Sequence, residues 1–291
     1  MLPNGVYPAS VTPMTPDGKI DQPAIARLLA HFKAAGCQGV VLAGTNGEGP
    51  SLSAVEKRDL VKIAVPIFPE LKVIAGIATP SLEEAIWLAN QAQKAGAAAG
   101  LVMAPGYFRE ATEDAIGRWF EKLFDETNLP ILAYNFPQRT GITFTANLIE
   151  RLSQHDRMIG LKDSSGNEEN IESYARAASG KSLFVGNEAL LWRCLEAEWT
   201  GTISGAANCI PSWLAVVVEE YFAGRKESAN VKFQLALRGI EALRGVPQPA
   251  TNKAVLHRTG ILLHPDVRLP LENLTEDALE TTMSRLQGLL D

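Results

Sequence analysis

The chain reads as an α/β protein, a (β/α)₈ TIM barrel with a C-terminal helical extension, on three observations. Short β-rich apolar runs alternate with amphipathic helical stretches as far as about residue 220, the pattern of βα units around a parallel sheet. Eight such runs can be counted. The 291 residues, 46% hydrophobic and 21% charged, also suffice for the roughly 250 residues of one barrel with an addition.

The strands are expected at 6–12, 39–43, 73–76, 99–103, 131–134, 158–163, 182–186 and 201–204. Helix signals fall between them. Asp21 is placed to cap IARLLAHFKAAG, whose Ile25, Leu28, Leu29 and Phe32 share one face, and Gly36 is placed to stop it. Ser53 with Glu56, and Ser81 with Glu84, read as capping boxes. Trp119, Phe120, Leu123 and Phe124 recur at helical spacing and are expected in the core. Eight parallel strands with a helix after each close into a barrel, with an open doubly wound sheet as the alternative. After about residue 225 the pattern is helical only, with VKFQLALRGIEAL, a segment near 251–263 and a capped TEDALETTMSRLQGLL. The expected organisation is a barrel over 1–224 and a helical extension over 225–291.

The net charge of −6 comes without a basic block or basic–aromatic interleaving, so nucleic acid is not an expected partner. No stretch reaches about 18 uncharged apolar residues, and MLPNGVYPAS lacks a basic segment leading into an apolar one. A soluble, cytoplasmic protein with no membrane partner is expected. Cys37, Cys194 and Cys209 stand far apart without C-x-x-C, which fits reduced thiols packed as small apolar groups. His31, His155, His257 and His264 form no metal-binding spacing and read as solvated or capping side chains. Neither a metal nor a cofactor is expected.

In a barrel of this kind the active site lies at the C-terminal ends of the strands. The candidates there are Gly44-Thr45-Asn46-Gly47-Glu48, Tyr134-Asn135, Lys162-Asp163, Gly186-Asn187-Glu188 and Ser204-Gly205. Among twelve lysines, Lys33, Lys57, Lys62, Lys94, Lys122 and Lys232 read as exposed on helices, and Lys72 and Lys181 lie at strand starts. Only Lys162 ends an apolar strand. A lysine drawn into a poorly hydrated interior is biased toward the neutral amine, the form that attacks a carbonyl. The alternative is a buried ion pair of Lys162 with Asp163 or Glu48. The Gly-rich loop after strand 2 can turn N–H groups toward an anion, and Thr45 adds a hydroxyl. Tyr134 offers a phenol for proton transfer and Arg139 a fork suited to a carboxylate. Together these groups suit imine chemistry on a 2-oxo acid.

GTNGE at 44–48, YNFPQRTG at 134–141 and GLKDSSGN at 160–167 resemble the dihydrodipicolinate synthase and N-acetylneuraminate lyase family, and the likeness covers nearly the whole chain. The resemblance implies a Schiff base between Lys162 and pyruvate, proton relay by Tyr134, and a pyruvate carboxylate held by Thr45 and Asn46. It places Ile203 and Gly205 beside the bound pyruvate. Tyr107 matches a tyrosine lent across a dimer interface, implying a homodimer or homotetramer. Arg139 matches the arginine that grips the carboxylate of aspartate semialdehyde in the synthases. Asn46 departs from the threonine usual there, and GSNGE-like and GPSLS-like segments occur in aldolases acting on 4-hydroxy-2-oxoglutarate and 2-keto-3-deoxygluconate. The implied partners are therefore pyruvate with a small aldehyde or 2-oxo acid. A reading of another class is a non-catalytic barrel that binds a 2-oxo acid; the intact Lys162, Tyr134, Thr45 and Tyr107 set weighs against it. The resemblance further implies insensitivity to L-lysine, because the regulatory cleft of feedback-sensitive members is matched here by Ala54, Lys57, Pro80 and Gly106, with Glu84 retained.

Overall fold

The computed structural model describes residues 1–245 and 247–289. Positions 246, 290 and 291 of the expected extension lie outside the described residues. Eight parallel strands form one sheet: β1 Gly5–Pro8, β2 Gly39–Leu42, β3 Lys72–Ile77, β4 Ala99–Met103, β5 Ile131–Asn135, β6 Met158–Asp163, β7 Ser182–Val185 and β8 Gly201–Ser204. Each strand from β2 pairs with the next, and β8 pairs with β1. The remaining seam is closed by a parallel bridge between Ala9 and Val41, where the Ser10 N–H donates to the Val41 carbonyl at 2.9 Å. The sheet is thus a barrel, not the open alternative.

The first strand is shorter than the expected 6–12. Beyond the bridge at Ala9 and the bond from Ser10, Val11 and Thr12 leave the ladder yet stay buried beneath the loop after β2, where the Thr12 hydroxyl donates to the Gly47 carbonyl at 2.6 Å. Burial without pairing extends the apolar pattern past the end of the strand.

Nine helices surround the sheet among the described residues: α1 Gln22–Ala34, α2 Ala54–Ala64, α3 Leu82–Ala95, α4 Glu113–Asp125, α5 Pro137–Thr140, α6 Ala146–Ser153, α7 Glu169–Ala177, α8 Leu191–Glu196 and α9 Pro211–Phe222. Asp21 caps α1 as expected, and Gly36 leaves it at φ 82°, a conformation that suits glycine. Ser53 and Glu56 close both bonds of a capping box on α2. The box at α3 is only half formed. Ser81 accepts from the Glu84 N–H at 3.2 Å, but the Glu84 carboxylate turns to the Thr79 hydroxyl at 2.9 Å. On α4, Phe120, Leu123 and Phe124 are fully buried, and Trp119 packs partly against them.

One lysine expected to be exposed is not. Lys57 is 5% exposed, because it shares the buried face of α2 with Leu60, Val61 and Ala64 at helical spacing. Burial pushes its pKa down, against the opposing pull of Glu84. His31 is only partly solvated: its Nε2 is buried with no hydrogen-bond partner among the described residues, and burial lowers its pKa. Cys37 and Cys194 are buried free thiols, and burial pushes that of Cys37 up to about 12.

Strand side chains alternate between two buried faces. Val40, Leu42, Val73, Val102, Ala133, Leu161 and Val185 face the helices. Tyr7, Val41, Ile74, Leu101, Leu132, Tyr134, Phe184 and Ile203 fill the barrel, where Tyr7 meets Phe184 edge-on at 5.0 Å.

The C-terminal segment adds α10 Lys226–Ala242, α11 Gln248–Arg258 and α12 Glu276–Gln287. Helix α11 is buried almost all round, from Ala250 to Leu256, and it docks through charge. Lys253 and Glu48, both side chains wholly buried, form an ion pair. Lys253 Nζ also donates to the Asp266 carbonyl at 2.7 Å, and Glu48 accepts the Arg268 N–H at 2.7 Å. The Arg268 guanidinium grips Glu56 at 2.8 Å and the Gly18 and Ser51 carbonyls. It holds the Glu56 carboxyl down near about 2, chiefly through that hydrogen bond. No helix among the described residues is long and apolar enough to cross a membrane.

Removing one member of the buried pair leaves the other charge uncompensated. Lys253→Met is expected to cost about 3–5 kcal/mol in denaturant-induced unfolding, and Lys253→Met with Glu48→Leu to cost less than the single change. Equal loss in both would assign the effect to packing instead of charge.

Candidate active site

Alternation along β6 decides which groups reach the barrel mouth. Leu161 and Asp163 face outward, so Lys162 faces inward. Its neighbours in register are Tyr134 on β5 and Phe184 on β7, both inside the barrel. Lys162 is 6% exposed, and its Nζ rests 4.4 Å from the centre of the Tyr134 ring. Tyr134 in turn stacks on Phe136 at 5.6 Å, which fixes its plane.

The ion pairs that offered an alternative for Lys162 do not form. Glu48 is taken by Lys253, and Asp163 lies on the outer face. There Asp163 accepts from Asn135 Nδ2 at 2.7 Å, from the Ser165 hydroxyl at 2.7 Å and from the Ser165 N–H at 3.1 Å. Asn135 binds the Phe144 N–H at 3.0 Å, and the Tyr174 hydroxyl donates to the Phe144 carbonyl at 2.6 Å. This outer network ties the ends of β5 and β6 together. Among the described residues Lys162 has no carboxylate partner, and its amine stands at the mouth beside a phenol.

Ser164 was not among the expected site residues. Its hydroxyl donates to the Tyr134 phenol oxygen at 3.4 Å, so it extends the chain of exchangeable protons from the barrel interior toward the rim. Gly186 makes this possible: a Cβ there would strike the Ser164 hydroxyl and come within 3.0 Å of Lys162 Cε. The sequence signal was present in the Gly that follows β7, since a glycine at a strand end marks close approach.

The loop after β2 is held in an unusual shape. Ala43 and Glu48, which bracket Gly44–Gly47, lie in the left-handed region at φ 54° and 56°. For residues bearing a Cβ this is costly and needs surrounding support. The buried side chain of Glu48 supplies it from one end. Thr45 and Asn46 are thereby placed half-buried on the rim. Asn46 Oδ1 accepts from Asn252 Nδ2 at 3.2 Å, and Asn46 Nδ2 lies 2.8 Å from the point a Cβ on Gly205 would occupy. Ile203 is fully buried on the inner face of β8, and Gly205 opens the turn that follows the strand.

Lys162, Tyr134, Ile203, Gly205, Asn46 and Thr45 therefore occupy one end of the barrel. Arg139 and Tyr107 stand farther out. Arg139 is exposed on α5, its guanidinium 6.0 Å from the Phe136 ring, and Gln138 pins that helix to the Ser165 carbonyl at 2.6 Å. Tyr107 is 77% exposed and pairs edge-on with Phe108, also exposed, at 5.1 Å. Lys253 and Asn252, which brace the β2 loop, were missed in the sequence. The signal for Lys253 was a lysine one turn from Ala250 and Leu256 and followed by Ala254 and Val255 in a helical stretch.

The chain matches the model of the dihydrodipicolinate synthetase family over residues 2–289. It is 32% identical over 286 residues to the 4-hydroxy-tetrahydrodipicolinate synthase of Archaeoglobus fulgidus, covering 98% of each chain. It is 31% identical to the enzyme of that name from Syntrophus aciditrophicus, over 98% of this chain and 97% of the other. Among solved structures, the 4-hydroxy-tetrahydrodipicolinate synthase of Methylacidiphilum fumariolicum superposes with a TM-score of 0.92 at 31% identity, covering 99% and 97% of the two chains. YagE of E. coli, determined in complex with pyruvate, gives 0.94 at 26% identity, with 99% and 98% covered. The dihydrodipicolinate synthase of Cyanidioschyzon merolae, determined with lysine bound, gives 0.92 at 28%, with 98% of each covered. Matched from end to end by both the family model and relatives above 30% identity, the chain belongs to the dihydrodipicolinate synthetase family.

Proposed function

We propose that this chain is a Schiff-base-forming, pyruvate-dependent lyase of the 4-hydroxy-tetrahydrodipicolinate synthase type, condensing pyruvate with aspartate semialdehyde. The observation that carries the reading is the Lys162 amine, buried at a strand end with no carboxylate partner among the described residues and lying against the Tyr134 ring. The amine attacks C2 of pyruvate, and loss of water leaves an imine. The imine draws electrons from C3, a proton leaves that carbon, and the resulting enamine attacks the aldehyde carbon; hydrolysis then frees the lysine. The imine is itself the electron sink, so no cofactor is required. Tyr134 and Ser164 carry protons between the imine and the rim. Thr45 and the Asn46 amide hold the pyruvate carboxylate, with Ile203 and Gly205 forming the floor beside it. Arg139 receives the carboxylate of the second substrate.

The exposed Tyr107–Phe108 pair supports a homodimer, or a pair of dimers, in which Tyr107 reaches the neighbour's site. The barrel of 1–224 and the extension of 225–291 act as one catalytic unit in a cytoplasmic enzyme, since α11 braces the substrate loop. One observation favours a second reading. Asn46 stands where synthases usually carry threonine, and an aldolase cleaving 4-hydroxy-2-oxoglutarate or 2-keto-3-deoxygluconate would use the same pyruvate half. A coupled assay of condensation and cleavage, run in parallel on the three substrates, distinguishes them.

Borohydride with pyruvate should trap a covalent adduct on Lys162, mapped by mass spectrometry and abolished in Lys162→Ala. An adduct on another lysine of an active enzyme would refute the mechanism. Tyr134→Phe should still form the adduct but lower turnover by about 10²–10⁴-fold, the usual worth of a positioned acid or base.

Arg139→Ala should raise KM for aspartate semialdehyde by an amount equivalent to roughly 1.5–3 kcal/mol, and spare adduct formation. Equal loss with an uncharged aldehyde would make Arg139 structural.

L-Lysine at millimolar concentration should neither inhibit the enzyme nor give heat of binding. Lys57 is buried near Glu84, and the carboxylate of Glu84, the acidic group retained in that cleft, is already bound by the Thr79 hydroxyl at 2.9 Å. Gly106, with Thr140 packed 2.6 Å from where its Cβ would lie, offers no hydroxyl. Saturable inhibition that Glu84→Ala abolishes would overturn this reading.

A further inference from the structure

We infer that Asn252, on α11, is a positioning residue that turns the Asn46 amide so that its NH₂ group faces the carboxylate of the bound 2-oxo acid. The inference rests on the reading that Asn46 holds that carboxylate.

A side-chain amide has one donor end and one acceptor end, and the two are nearly equal in shape. Left to itself at a rim, Asn46 would present either end. An acceptor end turned toward a carboxylate repels it, whereas a donor end binds it. Something must choose between them, and Asn252 is built to do so. It is 1% exposed on a helix buried almost all round. Its Oδ1 accepts from the Cys209 thiol at 3.4 Å. Its Nδ2 donates to the Gly205 carbonyl at 3.2 Å. That carbonyl is itself held by Asn208, through Nδ2 at 2.8 Å. With its acceptor committed to the thiol and its donor to Gly205, Asn252 has only its second N–H to offer Asn46.

Asn46 answers with Oδ1, at 3.2 Å. Its NH₂ must then emerge on the opposite side. It does so over Gly205, 2.8 Å from where a Cβ would stand, with the side-chain amide oxygen of Gln248, Oε1, near the same point. Gly205 opens the turn directly after Ser204, the last residue of β8, so the NH₂ lies at the C-terminal end of the barrel, the end at which Lys162 stands on β6. A hydroxyl at position 46 would need no such partner, because it rotates freely and donates in any direction. The asparagine at 46 and the asparagine at 252 therefore work as a pair.

Borohydride trapping of the Lys162 adduct, followed against pyruvate concentration, tests the pair in four proteins: wild type, Asn252→Leu, Asn46→Thr and the double variant. With Asn46 present, Asn252→Leu should raise the half-saturating pyruvate concentration by about 10- to 100-fold, the worth of a hydrogen bond to a charged group. In the Asn46→Thr background the same change should move it less than about twofold. Asn252→Asp, which keeps the size and the thiol acceptor but loses the donor, should repeat the first result if Asn252→Leu fails to fold. Trapping of hydroxyacetone, a ketone without a carboxylate, should respond to none of these changes. An equal rise in both backgrounds would mean that Asn252 only supports the fold and would overturn the inference, as would no rise in either. Absence of any wild-type adduct on Lys162 would overturn the functional reading and the inference together, whereas a normal wild-type curve with uncoupled variants overturns the inference alone.

Discussion

The buried Glu48–Lys253 ion pair is the constraint on which the rest of the site depends. Two charges taken wholly out of water lose several kcal/mol each in hydration, and their attraction repays this only with good geometry and satisfied neighbours. Here the neighbours are backbone groups of 266 and 268, so the pair joins three stretches distant in sequence: the β2 loop, α11 and the segment leading to α12. A hydrophobic contact would glue these surfaces but would allow them to slide. The ion pair admits one register, and it holds Glu48 in a left-handed conformation that a free loop would leave. Thr45 and Asn46, between Ala43 and Glu48, take their geometry from that single point.

The period-2 geometry of the strands then distributes roles. Lys162 and Asp163 are neighbours in sequence and point to opposite faces, one into the mouth and the other into the network of Asn135, Ser165 and Asn170. The same is true of Tyr134 and Asn135. Each strand end thus supplies one chemical group and one bracing group, and a slip of one residue would exchange them. The outward members explain why the inward ones need no ion pairs of their own: the strand ends are already fixed from behind.

Much of this was legible in the sequence because it follows from short-range periodicity. The eight strands, the caps at Asp21 and Ser53 and the position of Lys162 at a strand end all follow from local patterns. What was not legible depends on contacts across the chain. Lys57 carries a charge and was therefore assigned to solvent, although its spacing with Leu60, Val61 and Ala64 put it on the buried face. Glu48 reads in the sequence as an alternative partner for Lys162, and its partner in the structure lies 205 positions later in sequence, at Lys253. The reach of Ser164 to Tyr134 depends on the missing Cβ of Gly186, just past the end of the adjacent strand, and no local pattern around Ser164 carries it. Charge identity misleads where helical spacing and long-range pairing decide burial.

The candidate site divides along the same line. Lys162, Tyr134 and Ile203 stand on strands closed into a barrel, flanked by a loop braced through a buried charge, and these elements have little freedom to move. Arg139 sits on a single-turn helix, and Tyr107 on an open loop with its ring largely in solvent. A half-site on rigid elements can hold one small, invariant reactant in the geometry that imine formation demands. A half-site on short, exposed elements can change its side chains without disturbing the barrel. Sequence motifs drawn from strand ends therefore speak to the pyruvate half of the reaction, and the identity of the second substrate is written in the loops, where the pattern is weakest. Asn46 stands on the boundary between the two. It belongs to the braced loop, yet it differs from the residue usual in synthases, and its orientation is set by a helix that lies outside the barrel altogether. A change at 46 can thus be accommodated by a matching change on α11, so that the extension tunes the site while the strands that carry the chemistry stay as they are.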